Sequence, residues 1–404
     1  MSQTNPNVIV VQAGPRHGYG LPIAFENADL LEAFYTDLCA GKGLGRLSGF
    51  PMPGRLGNAF QRWQNRQLPE TVKRKTRTLD IATIPFEIEQ YFKKSVVERR
   101  AATKELHAKQ AERMIKFGFG QATHLVHQFG HGGDFIKRGK ERGLTVLTDM
   151  IIAPSTGRIE QEEADAYPDW GDRPAPIPGL VDDADLELFR ATSHYICPSR
   201  FVAKDLIENF DVEEASIRIV PYGINEQWLS VSNEPIPGRV LFVGSAERRK
   251  GIHFLAKASN ILADRRPDVT MVVAGGVEDG VKHHPEAQTL NFLGRVPRSE
   301  IAQEFQRADI FILPSLAEGS ATVIYEAMAV GLPIITTESS GSYVEHEHTG
   351  LIVPERDPDA IVEAVERLME DRELRDHLAA NAKAKATEFT WENFGKKWVN
   401  LILD

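Results

Sequence analysis

Cysteine is nearly absent from this chain: Cys39 and Cys197 are its two, far apart and outside any C-x-x-C spacing, in 404 residues. Neither a disulfide framework nor a zinc ribbon is supported, and a reducing compartment fits. Long apolar runs are missing too, since nothing approaches the roughly 18 consecutive apolar residues that span a bilayer. The opening MSQTNPNVIVVQAG passes from polar residues straight into a strand without a basic n-region, so a cytoplasmic protein is expected. The turn after the first strand reads Gly14-Pro-Arg-His-Gly18, which is not G-x-G-x-x-G, and no G-x-x-x-x-G-K-[ST] occurs. A dinucleotide dehydrogenase and a P-loop kinase are therefore unsupported. No Asp-x-Asp pair faces a candidate phosphate site, and no metal site is expected. The net charge of −10 argues against general nucleic-acid binding.

What is present is a soluble, globular composition, 42% hydrophobic and 26% charged, in a chain too long for one ordinary core, which predicts two domains of roughly 200 residues. Charge is segregated. Residues 55–116 hold fifteen Lys/Arg against seven acids; the region reads as a solvated helical face or as a surface that meets anionic membrane or an anionic acceptor, with the first favoured.

Apolar runs alternate with helix-period segments twice over, as in parallel α/β architecture. The first series opens with Val8-Ile9-Val10-Val11, a Gly-rich turn and a helix from about Pro22 to Cys39. It continues through strands near 123–129, 144–151, 194–199 and 217–223, with a long basic helical region over 70–117. The second series opens with GRVLFVG, SAERRKG and a helix, then VTMVVAGG, LNFLGRV, DIFILPS and LPIITT. This organisation predicts a first domain over 1–225, a linker over 226–238 and a second domain over 239–390. A last helix, 391–404, carries an apolar stripe suited to packing back on the first domain.

Chemistry concentrates in residues 309–337, DIFILPSLAEGSATVIYEAMAVGLPIITT. An apolar strand ends at Pro314-Ser315, a short loop follows, and a helix runs to Gly331. Such a loop lies at the carboxyl end of a strand, where ligands bind in open α/β sheets. The helix start near Ser320, Ala321, Thr322 and Val323 aims backbone N–H groups at a phosphate, and Gly319 lets a ligand approach the backbone. Glu326, inside the helix, is a carboxylate suited to ribose hydroxyls.

The Glu-x7-Glu string from Glu318 to Glu326, with Pro314-Ser315, Glu326-Ala-Met-Ala, Gly331-Leu-Pro333 and His348-Thr-Gly350-Leu-Ile-Val-Pro354, closely resembles the family 4 retaining glycosyltransferases of the GT-B fold. The resemblance covers residues 239–400 and, more weakly, the first domain. It implies two Rossmann-like doubly wound parallel-sheet domains facing across a cleft. It implies as substrate a UDP- or GDP-sugar, with no cofactor required, and a saccharide or lipid-linked acceptor. Glu318 would hold hydroxyls of the transferred sugar, Glu326 the ribose, the amides of Ser320 to Val323 the phosphates, and Arg295-Val296 the base. In the turn Gly244–Gly251 the family often carries an Arg after the first glycine and a Lys before the second. Lys250 matches and Ser245 does not, so Arg249 is the expected second cation, with Arg248 a solvated surface charge.

The first domain is less explicit. A turn at Gly14 would let it approach the donor. Of His124, His127 and His131, strand alternation sets the first two on opposite faces, so chelation by all three is not expected; His127 is kept as a catalytic candidate. Where family members commonly place a histidine at the end of the following strand, this sequence has Asp149. A sugar-nucleotide epimerase or phosphorylase on the same fold, or a catalytically silent sugar-nucleotide-binding protein, are the alternatives.

Overall fold

The computed structural model describes residues 5–49, 64, 66–90, 96–171 and 183–404. Two all-parallel sheets organise it. The first contains β1 (Val8–Val11), β2 (Leu31–Thr36), β3 (Thr76–Thr78), β4 (His124–Gln128), β5 (Thr145–Asp149), β6 (His194–Cys197) and β7 (Ile217–Ile219), in the order β3-β2-β1-β4-β5-β6-β7. The second contains β8 (Arg239–Val243), β9 (Thr270–Ala274), β10 (Asn291–Gly294), β11 (Ile310–Leu313), β12 (Ile334–Thr336) and β13 (Leu351–Ile352), in the order β10-β9-β8-β11-β12-β13. Each is a doubly wound sheet whose winding reverses beside its first strand, between β1 and β4 and between β8 and β11. Loops leaving the carboxyl ends of strands at such a reversal splay apart and leave a crevice. β1 and β11 are buried along their whole length, which is why they read as unbroken apolar runs rather than alternating ones.

Two expected elements are corrected. The Pro22–Cys39 helix ends at Asn27; Asp29 turns the chain at φ 55° and Leu31–Thr36 becomes β2, paired with β1. Its Leu-Glu-Ala-Phe string is compatible with helix, and sheet pairing overrides that weak local preference. The basic stretch 70–117 is largely helical, as expected, but is interrupted by a strand. It comprises the helices Glu70–Lys75, Asp80–Gln90 and Val96–Phe117 with the edge strand β3 between the first two. β-branched Thr76 and Thr78 favour the strand, and Thr76 is fully buried against the sheet.

Two segments tie the domains together. The last helix, Trp391–Leu403, starts on the Thr390 hydroxyl, which accepts from the Asn393 amide. It lays Phe394, Trp398 and Ile402 into a first-domain cluster that includes Val8, Val10, Phe25 and Tyr222. Gly395 permits this approach, since a Cβ there would stand 2.8 Å from that of Ala24. In the other direction, the helix Thr156–Ala166 and the residues after it leave the first sheet for the second domain. Trp170 is buried in that domain's core, with Ile159 and Tyr167 against it.

Trp398 is 1% exposed and meets the Phe25 ring edge-on at 6.4 Å. Trp398→Ala should cost about 3–5 kcal/mol, as large-to-small aromatic deletions in packed cores do. Urea unfolding followed by first-domain fluorescence checks it, and a loss below about 1 kcal/mol would show that the helix does not hold that domain.

Candidate functional site

A cleft of about 1,380 Å³ lies where the two sheet reversals face each other. Arg16, His17 and Tyr222 line it from the first domain, Arg249, Glu318 and Glu326 from the second, and Trp391 and Lys396 from the last helix.

The second-domain wall is two loops held as one unit. After β8, Gly244 adopts φ 147°, and a Cβ there would crowd the Lys250 stem at 3.0 Å. Lys250 can fold over the strand end only because that position is glycine. Gly251, at φ 74°, starts the helix Ile252–Arg265 and leaves no room between itself and the Pro314 carbonyl. The Leu316 amide then donates to the Arg249 carbonyl at 2.8 Å. After β11 the loop hangs on the turn 337–340: the Glu318 amide donates to Ser339 (2.9 Å), the Ala321 amide to Ser340 (3.1 Å), and the Thr337 hydroxyl to Ser315.

These contacts bring Glu318 between two cations. Its Oε2 is 3.0 Å from Arg249 Nη1, and Lys250 Nζ donates to its Oε1. Burial pushes the Glu318 carboxyl up, but Lys250 and Arg249 outweigh it and hold the group below the ordinary carboxylate range. Arg249 also pairs with Glu247 at 2.6 Å and with Glu160 at 3.2 Å. Arg248 points elsewhere. Only 8% exposed, it donates from Nη1 to the carbonyls of Tyr167, Trp170 and Gly171 at 2.8–3.3 Å. The expectation of a solvated surface charge at 248 is therefore corrected: Arg248 fastens the Tyr167–Gly171 segment to the second domain.

The helix Thr322–Val330 opens into the same cleft, and Thr322 and Val323 are among the four first-turn amides that an α-helix leaves without an internal partner. The Ser320 hydroxyl shares a 2.6 Å hydrogen bond with the Tyr325 hydroxyl, and the Ala321 amide is committed to Ser340. Glu326 faces the cleft from this helix with no cation on it as close as those on Glu318. Burial raises its carboxyl to about 7, partly offset by Arg298. Arg298, a cleft residue, was missed from sequence; it lies in an exposed turn after β10 with no motif to mark it. Arg295 lies over Gly276, and Val296 packs on the second-domain core.

Gly319 serves a different contact from the expected one. A Cβ there would drive into the Ile151 carbonyl, and its own carbonyl accepts from Ser199 at 2.6 Å. It permits the two domains to touch. Gly14, at φ 69°, donates its amide to Asp37 at 2.9 Å and does not line the cleft; its neighbours Pro15 to Gly18 do. His127 is fully enclosed. Its Nδ1 lies 3.0–3.1 Å from the Gln128 and His131 carbonyls and its Nε2 2.8 Å from the Thr148 hydroxyl, and burial lowers it to about 4. The catalytic candidacy of His127 is therefore dropped: sheet pairing hides the ring between β4 and β5. Asp149 is buried at the end of β5, raised to about 7 by burial against the opposing pull of Arg16, and is not among the lining residues. His17 instead reaches the cleft, its ring 4.2 Å from that of Tyr222 and tilted against it, and it is lowered to about 3 by burial and by Arg16. Among the described residues no cluster of His, Cys, Asp and Glu is placed to hold a metal ion.

Residues 228–385 match the family described as glycosyl transferases group 1. The chain is 27% identical over 250 residues to D-inositol 3-phosphate glycosyltransferase of Corynebacterium urealyticum, covering 55% of this chain and 57% of that one. It is 28% identical over 234 residues to an uncharacterised glycosyltransferase of Methanocaldococcus jannaschii, covering 51% and 58%. The matches thus span little more than half the length of those relatives. In fold it is similar to sucrose-phosphate synthase from Thermosynechococcus elongatus, with a TM-score of 0.67 at 16% identity over 98% of both chains. It is also similar to Anabaena HepE in complex with UDP and glucose, with a TM-score of 0.59 at 16% identity over 98% and 99%.

Two outcomes follow from this geometry. Arg248→Ala should lose about 1.5–3 kcal/mol in chemical denaturation, because the buried Trp170 carbonyl and the part-buried Tyr167 and Gly171 carbonyls lose a charged donor; an unchanged midpoint would contradict the fastening role. Glu326 holds its proton in the folded state up to about 7, against an ordinary value of 4.5. A raised folded pKa contributes stability that is full below the unfolded value and is lost as pH rises through the folded one. Wild type should therefore lose about 2–3 kcal/mol relative to Glu326→Gln between pH 4.5 and 8. Parallel stability curves would contradict this.

Proposed function

We propose, from the match of residues 228–385 to the glycosyl transferases group 1, that this chain transfers a sugar from a nucleoside-diphosphate sugar to an acceptor hydroxyl with retention of configuration. The observation that carries the reading is the Glu318 carboxylate bridging Lys250 and Arg249 beside the first-turn amides of Thr322 and Val323. Fixed cations and helix amides together match a diphosphate whose charge grows as it leaves. Glu318, freed from part of that pairing, holds the transferred sugar. Glu326 accepts from the ribose hydroxyls, and Arg295 and Val296 meet the base. The UDP complex of HepE, similar in fold, makes UDP the first nucleotide to try and GDP the second.

In this mechanism the acceptor oxygen attacks the anomeric carbon from the face that the phosphate leaves. The bond from that carbon to the phosphate oxygen breaks, and the acceptor proton passes to the departing phosphate. The protein positions both substrates and neutralises charge, so no metal ion is required. The acceptor, a saccharide or a lipid-linked hydroxyl, enters along Arg16, His17, Tyr222 and Trp391. Asp149 and His127, enclosed in the first sheet, are given no part in it. The basic region 55–116 is kept as a solvated face of a cytoplasmic enzyme. Arg66, Lys73, Lys75 and Lys109 are paired with Asp37, Glu70, Glu26 and Glu105, while Arg55, Arg62, Lys93 and Lys94 lie outside the described residues.

Calorimetry with the bare nucleoside diphosphate tests the assignment. Glu326→Ala should weaken binding at least roughly tenfold, the scale of a lost charged hydrogen bond, and Glu318→Ala should lower turnover without weakening binding. Equal affinity for wild type and Glu326→Ala removes the ribose role. Turnover should persist in excess chelator, and abolition reversed by Mg²⁺ would refute metal independence. Release of nucleoside diphosphate only when an acceptor is added separates transfer from epimerisation or silent binding.

A further inference from the structure

The helix Thr156–Ala166, first-domain by sequence, carries an acid into the cation cluster that no motif announces. Glu160 Oε1 stands 3.2 Å from Arg249 Nε. Its helix is clamped in place. One turn along, Glu163 is 3% exposed, accepts from His253 Nε2 at 3.0 Å and pairs with Arg356 at 2.5 Å. Arg248 grips the three carbonyls that follow the helix.

Arg249 is nearly saturated as a result. Of the five N–H groups of a guanidinium, Nε faces Glu160, Nη1 serves Glu318 and the Ala317 carbonyl, and Nη2 serves Glu247. Two cations, Arg249 and Lys250, meet three carboxylates, Glu160, Glu247 and Glu318. The Arg249 guanidinium is thus largely occupied by carboxylates, and an incoming diphosphate meets it more fully once one of them withdraws. Glu318 bridges both cations, and Glu247 bonds at 2.6 Å from within the same turn. Glu160 has the longest contact of the three with Arg249 and keeps 36% of its side chain exposed. Burial raises its carboxyl against the pull of Arg249 and, less, of Arg248, and repulsion from Glu247 and Glu318 adds to the rise.

We propose that Glu160 is a phosphate placeholder at Arg249: it swings into solvent when the donor diphosphate arrives and returns when product forms, loosening the site's hold on the released nucleoside diphosphate. The proposal rests on the nucleotide-sugar reading above. A carboxylate discriminates between the two ligands by charge. The diphosphate of a nucleotide sugar is a diester with about two negative charges, whereas the released nucleoside diphosphate gains most of a third at neutral pH through its terminal phosphate. Glu160 therefore opposes product more than donor.

The test is calorimetric titration of UDP, with GDP in parallel, and of the matching nucleotide-glucose into wild type, Glu160→Gln, Glu160→Asp and Arg249→Ala; the nucleotide that binds wild type is used throughout. Glu160→Gln should bind the nucleoside diphosphate roughly three- to tenfold more tightly, the scale of one partly exposed like charge removed. The nucleotide-glucose should tighten less, and Glu160→Asp, which keeps the charge, should stay near wild type. A merely structural role would shift both ligands together. If Glu160→Gln binds the diphosphate no more tightly, or tightens both ligands equally, while Arg249→Ala weakens binding, the placeholder is refuted and the nucleotide reading stands. If neither nucleotide binds wild type, or Arg249→Ala leaves binding unchanged, the nucleotide reading falls and takes this inference with it.

Discussion

A carboxylate at the depth of Glu318 is costly to ionise unless opposite charges meet it, and here Lys250 and Arg249 do so from a different loop. That pairing requires the loops after β8 and β11 to converge, which is possible because the two strands are neighbours at the reversal of the second sheet. The surrounding details serve the same convergence. Gly244 makes room for the Lys250 stem, Gly251 for the Pro314 carbonyl, and the turn 337–340 supports the loop that bears Glu318. The interaction is also open to exchange. A carboxylate held by two cations near a helix start can share them with an arriving anion without any backbone rearrangement, which is the preorganisation that charge-stabilising sites need.

The domains are interlocked rather than merely adjacent. The last helix returns from the second domain to bury Trp398 beside Phe25, and the Thr156–Gly171 segment travels the other way to bury Trp170 beside the second sheet. Each supplies side chains to the cleft region: Trp391 and Lys396 from the one, Glu160 from the other. The electrostatic state of the Arg249 cluster is therefore set partly by residues that the chain encodes in its first domain.

What could be read in advance followed physical rules. The parallel strands were visible because burial on both faces demands unbroken apolar runs, as in β8 and β11, and the Glu318–Glu326 segment because strand, loop and helix start fall in sequence there. β2 was hidden because Leu31–Thr36 has local composition compatible with helix and becomes a strand through pairing with β1, and β3 because Thr76–Thr78 is a three-residue edge strand set between two helices. The choice of Arg249 over Arg248 as the cleft-facing arginine agrees with the geometry. The role of Arg248 could not be foreseen, because its partners are backbone carbonyls some 80 residues earlier. His127 misled for a related reason: a histidine near a strand end can point into the sheet as readily as out of it, and only the Thr148 and Gln128 contacts decide. Arg298, His17 and Glu160 carry no spacing signature at all; the first two reach the cleft, and Glu160 reaches Arg249, through tertiary placement alone.

The central claim is that the second sheet's reversal, with Lys250, Arg249 and the Thr322–Val323 amides, is where a nucleoside diphosphate binds. A crystal structure of the chain soaked with UDP tests it most directly. The account predicts the diphosphate against those two cations and amides, with the ribose hydroxyls on the Glu326 carboxylate. Diphosphate density confined to the first-domain turn at Arg16 and His17, with Glu318 still fully paired and the Glu326 carboxylate untouched, would contradict it.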